Sequence, residues 1–151
     1  MTTSSLFEGP LPAIVEFLEN AFLQPRPVPP LQVFLDVRAA LFAREMPDED
    51  PELMLRALIQ IARACFYAAQ PREGLITLER AEQIMARLPD SDWKRQVFNI
   101  KGGLNSNLGD FSRAFDSYLQ AAVMARQLEL RDAQARTLGN IAALFSAFGG
   151  Y

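Results

Sequence analysis

Apolar side chains recur along this chain at steps of three and four, the spacing that stripes one face of an α-helix. Polar or proline-rich breaks divide the pattern into seven segments. The first spans about 11–24, with Ile14, Phe17, Leu18, Ala21 and Phe22 on one stripe. The run QPRPVPP follows, with four of the chain's ten prolines, and predicts a stiff, extended connection. A second segment, about 31–45, carries Phe34, Val37, Leu41 and Phe42. The acidic break MPDEDPE then prepares a third, about 51–69: Asp50 is placed to cap it, Pro51 to start it and Glu52 to meet the positive end of its dipole. The fourth runs about 72–88 and stops at Pro89, the fifth from near Asp92 to Gly109, the sixth about 111–130 and the seventh about 132–148, before Gly149-Gly150. With seven amphipathic helices and few β-branched residues, the expected fold class is all-α.

A second, longer rhythm lies over the first. With an offset of forty, Gly109 falls on Gly149, Phe111 on Tyr151, Ala81 on Ala121, Leu78 on Tyr118 and Gly74 on Ala114. Small residues recur at Ala62, Gly102 and Ala142, where two helices would have to cross closely. Glycine inside a helix costs about 1 kcal/mol relative to alanine, so Gly102 needs a reason, and tight packing on the next helix supplies one.

The stretch GGLNSNLGDFSRAFDSYLQAA resembles a tetratricopeptide repeat, with Gly102, Gly109, Phe111, Ala114, Tyr118 and Ala121 at the signature spacing. Forty residues exceed the usual ~34 and are similar to the extended repeats of kinesin light chains and bacterial peptide-sensing regulators. The resemblance covers 92–130 fully, 132–151 as half a repeat, and 53–91 with Ala69-Gln70-Pro71 in place of Gly-Asp-Tyr; residues 1–46 read as a degenerate first pair or cap. It implies a right-handed superhelical solenoid of antiparallel helix pairs, about three pairs plus one terminal helix, with a cap over 1–46 and an array over 47–151. LFSAFGGY, residues 144–151, restates LNSNLGDF, residues 104–111, but leads into no second helix. The expectation is an N-terminal piece of a longer protein starting at its native Met1. Its last helix would present Leu138, Ile141, Leu144, Phe145 and Phe148 as an unpartnered flank and homo-oligomer contact.

Composition narrows the chemistry. The chain has 151 residues and no histidine, which removes the commonest general base and metal ligand together. KGGLNSNLG lacks the Lys-Ser/Thr of a phosphate loop, and Asp48, Glu49, Asp50 and Glu52 lack the alternation of a calcium loop. No catalytic residue, cofactor or metal is expected, and the chain does not read as an enzyme. Cys65, alone in ARACFY, reads as core, with a redox thiol as the alternative. A single cysteine and the lack of a signal peptide suggest a cytoplasmic address, and no run is long and apolar enough to span a membrane. Residues 1–52 hold three Arg and nine Asp/Glu, giving −6; residues 53–151 hold twelve Lys/Arg and nine Asp/Glu, giving +3. That distribution does not suit a nucleic-acid binder.

What remains is recognition. The resemblance implies binding along a concave face formed by the first helix of each pair. The forty-residue ruler arranges that face in columns: Arg56, Gln96 and Arg136; Gln60, Ile100 and Asn140; Arg63, Gly103 and Ala143; Tyr67, Asn107 and Ala147. Arginine forks grip carboxylates, and amides hold peptide backbone. Asn140 in LGNIA is similar to the backbone-holding asparagines of extended-repeat relatives; its counterpart is Ile100, with Asn99 beside it. The same Arg and Gln residues also suit the wet face of an ordinary amphipathic helix. Three functions stand open: a scaffold binding a protein or peptide in this groove, a sensory or dimerisation front end of a bacterial signalling enzyme such as a diguanylate cyclase or histidine kinase, and a structural spacer.

Overall fold

A computed structural model of the chain describes residues 8–23, 27–45 and 48–149. Met1, Gln24 to Arg26 of the proline-rich run, Met46, Pro47 and the Gly150-Tyr151 end of the repeat lie outside them. The described residues form seven helices and no strand: α1 Leu11–Asn20, α2 Leu31–Phe42, α3 Pro51–Tyr67, α4 Pro71–Met85, α5 Asp92–Asn107, α6 Phe111–Gln127 and α7 Arg131–Phe148. The chain is all-α. Each predicted segment is present, and most stop two to four residues before the periodicity does.

Backbone chemistry explains those early stops. Ala69, Gly109 and Glu129 take left-handed conformations, with φ of 54°, 77° and 58°. The amides that follow them reach back five residues, Gln70 to the Cys65 carbonyl at 2.9 Å, Asp110 to Asn105 at 2.9 Å and Leu130 to Ala125 at 2.8 Å. These are Schellman closures, which satisfy the last carbonyls and turn the chain. At the other end of α3, the Asp50 carboxylate accepts from the Glu52 and Leu53 amides at 2.9 and 3.1 Å, the cap its position predicted. Asp110 caps α6 through the Arg113 amide.

The core is centred on α3, which is buried on nearly every side from Met54 to Cys65. A helix apolar around most of its circumference belongs in the middle of a fold. Accordingly α1, α2, α4 and α5 all pack on it. The α1 and α2 helices meet α3 more extensively than they meet each other, as a long proline-rich connection between them would allow. Arg38 of α2 reaches α4, pairing with Glu73 at 2.6 Å and donating to Thr77 Oγ1 at 3.1 Å. Every extensive helix contact joins elements one or two apart in the chain.

Close crossings account for the buried glycines. A Cβ on Gly102 would lie 2.5 Å from the Tyr118 ring, and one on Gly74 would lie 2.6 Å from Leu104. Gly102 thus admits α6 against α5, the role its sequence context predicted. Ala142, its counterpart forty residues on, is exposed. Cys65 is buried, and burial pushes its thiol up to about 11, so it is core.

The α7 flank divides between burial and exposure. Leu144 is buried and Ile141 half-buried against Ala114 and Tyr118 of α6, so Leu144 is not open to a second molecule. Phe145 and Phe148 meet Phe111 edge-on, with centroids 5.3 and 6.0 Å apart, and Phe145 also meets Phe115. The physical reason is that α6 already provides an aromatic wall for this flank. Leu138, Phe145 and Phe148 stay substantially exposed, Leu138 at 51%.

Candidate functional site

One polar network crosses the face shared by α3, α5 and α7. The Arg63 guanidinium is held at both tips, donating through Nη1 to Gln60 Oε1 at 2.7 Å and through Nη2 to Gln96 Oε1 at 3.0 Å. Gln96 passes the chain on, its Nε2 donating to Asp92 Oδ2 at 2.9 Å, while Arg95 Nε donates to Asp92 Oδ1 at 2.5 Å. One turn further along α5, Asn99 Oδ1 accepts from Asn140 Nδ2 of α7 at 3.2 Å. Helical spacing makes this possible: Asp92, Gln96 and Asn99, at steps of four and three, share one face of α5.

Beside a recess of about 540 Å³, where Asp92, Arg95 and Arg136 meet Glu129, Arg131 and Asp132 at the start of α7, two further open recesses flank the network. The first, about 350 Å³, is lined by Arg63, Asp92, Arg95, Gln96, Asn99, Ile100 and Arg136. The second, about 210 Å³, shares Arg63, Asn99 and Ile100 and adds Phe66, Tyr67, Gly103, Tyr118 and Asn140. In the first, three guanidinium groups face one carboxylate. Arg95 is 7% exposed and tied to Asp92; Arg136 is exposed and has no hydrogen bond or ion pair among the described residues. Burial pulls the Arg63 guanidinium below its usual value, with Tyr67 working against that and Arg95 adding to it. Burial alone would raise the Asp92 carboxyl, but hydrogen bonds from Arg95 and Gln96 and the charges of Arg95 and Arg136 outweigh it and hold the group below its ordinary range.

The predicted columns are partly assembled. Gln96, Arg63 and Arg136 meet in one recess; Tyr67, Asn99 and Asn140 meet in the other. Arg56 does not join them. Its Nη2 is bound at 2.5 Å to Glu19 of α1, and its guanidinium lies over the Trp93 ring with 4.9 Å to the centroid, so α1 has claimed it. Gln60 is 4% exposed and spent on Arg63, so it orients that arginine rather than meeting a ligand. Asn107 is exposed at the end of α5, outside both recesses. Gly103 leaves no gap, because the Phe66 ring fills the space beside it, 2.8 Å from where a Cβ would stand.

Asp92, Arg95, Phe66 and Tyr118 also line the recesses without having been singled out as site residues. For Asp92 and Arg95 the i, i+3 spacing was visible, but it looks the same in any surface helix. No family model and no curated protein matches the chain. Among the described residues, no helix is long and apolar enough to cross a membrane.

Proposed function

We propose that the chain is a tetratricopeptide-like interaction module that holds an extended peptide segment of a protein partner along α5, on the face this helix shares with α3 and α7. The observation that carries this reading is the Asn99–Asn140 pair beside Arg63, Gln96 and Arg136. An amide that uses one of its groups on a neighbouring helix keeps the other for a peptide N–H or C=O. Two such amides on adjacent helices, rimmed by guanidinium groups, suit a main chain carrying negative side chains. The forty-residue recurrence and the one-dimensional pattern of helix contacts support the repeat assignment.

A display selection from random decapeptides against the full chain tests the reading. Selected peptides should lose about tenfold in affinity on Asn99→Ala/Asn140→Ala, the effect of two neutral hydrogen bonds at ~0.5–1.5 kcal/mol each. Peptides that bind the double variant equally well would place recognition elsewhere.

A second reading is supported by the outer face of α7, where Leu138, Phe145 and Phe148 are exposed and 137–149 holds no charged residue. Exposed apolar patches mark contact surfaces, and self-association through this face is the second function. Sedimentation should give a dimer that Leu138→Glu/Phe145→Glu converts to a folded monomer. A wild-type monomer at high concentration removes it.

A further inference from the structure

The two recesses share a wall and differ in chemistry, and from this we infer that the peptide recognised carries a large apolar side chain two positions from an aspartate or glutamate. The inference rests on the peptide-binding reading above and adds its specificity. The smaller recess is of mixed chemistry, with Phe66, Tyr67, Ile100 and Tyr118 lining it together with Asn99, Asn140 and Arg63. At about 210 Å³ it is below the ~300–1,000 Å³ of sites for drug-sized molecules, and fits one large side chain. The Tyr118 hydroxyl makes no hydrogen bond among the described residues, which leaves it for the ligand.

The larger recess is polar, and its charge is unbalanced. Asp92 pairs with Arg95 and also feels the charge of Arg136, which itself makes no hydrogen bond or ion pair among the described residues, while Arg63 is held between two neutral glutamines with Glu19 of α1 as its acidic neighbour. A carboxylate entering there completes an arrangement that is otherwise cationic. Because Gln60 and Gln96 fix the plane of the Arg63 fork, less freedom is lost when that carboxylate binds.

The spacing follows from the shared wall. The α5 residues of the two recesses, Asp92 to Ile100 and Asn99 to Gly103, are centred about four residues apart, or ~6 Å at 1.5 Å per residue. In an extended chain running along α5, side chains i and i+2 point the same way and lie ~6.6 Å apart. An apolar residue and an acidic residue at that separation enter both recesses together, and the intervening residue points outward.

The test uses the folded 151-residue chain and the decapeptide selection, followed by fluorescence anisotropy on the enriched peptides. The expected result is enrichment of Phe, Leu, Ile or Tyr two positions from Asp or Glu. Changing the acid to Lys should cost tenfold or more, the loss of a charge-assisted contact, and Arg136→Glu should reverse that preference. Tyr67→Ala, at a side chain already 69% exposed, should reduce discrimination between Phe and Ala at the apolar position. Peptides that bind through Asn99 and Asn140 but show neither preference, or no response to the Arg136 charge swap, overturn the specificity and leave the groove standing. Selection of no peptide overturns the groove reading with it.

Discussion

At Ala69 the chain adopts φ of 54° without a glycine to ease it. A left-handed conformation costs an L-residue roughly 1–2 kcal/mol, part of which glycine returns as greater freedom when unfolded. Ala69→Gly is therefore expected to stabilise the protein by about 0.5–1 kcal/mol, read as a higher urea midpoint at unchanged slope. An unchanged or lower midpoint would mean the turn is not governed by that residue. Two helical glycines separate packing from propensity in the same way. Gly102→Ala would push a methyl into the Tyr118 ring and should cost about 1–3 kcal/mol. Gly139→Ala meets nothing within 4 Å and should gain about 0.5–1 kcal/mol. Equal effects of one sign would contradict the crossing of α5 and α6 at Gly102.

At the scale of elements, the apolar stripes made all seven helices legible, while their ends were hidden. Gly109 announces a left-handed stop; Ala69 and Glu129 take the same conformation without a glycine to signal it. The site was legible in the same uneven way. The forty-residue offset aligned Gln96 with Arg136 and put Asn99 near Asn140, but an offset gives a face and not what a neighbour brings to it. Glu19 of α1 removed Arg56 from the groove, and Phe66 removed the space beside Gly103. The first turn of α5 shows what the network contributes. Ser91 makes no side-chain cap, and Asp92 holds Arg95 and Gln96 in place. Its carboxyl titrates below its ordinary range when folded, so the unfolded chain takes up the proton more readily as pH falls. The stability it contributes is complete above the ordinary carboxylate range and is lost as pH drops through the depressed value. Melting temperatures of the wild type and Asp92→Asn should differ at neutral pH and converge in acid; a constant gap would assign the effect to packing.

For the whole molecule, the pattern of neighbours makes stability a local quantity. The main core runs from Leu11 to Leu104 and takes more of its buried apolar residues from α3, between Met54 and Ala64, than from any other helix, while a separate small cluster of Ala114, Tyr118 and Leu144 joins α6 to α7. Only Ala133, Thr137 and Leu144 of α7 are buried. A helix with so few buried residues, packed extensively on one neighbour alone, opens without disturbing the middle. Hydrogen exchange should therefore find the slowest amides in α3, over Ile59–Cys65, and exchange in α7 about 100-fold faster or more, with a weaker denaturant dependence. Uniform protection from α3 to α7 would show a single cooperative unit instead. The same experiment bears on the exposed face of α7. If two copies cover Leu138 and Phe145, opening α7 requires dissociation, and its protection rises with protein concentration by mass action. If that face stays in water, α7 exchanges at the same rate at every concentration, and its exposure is a property of the monomer.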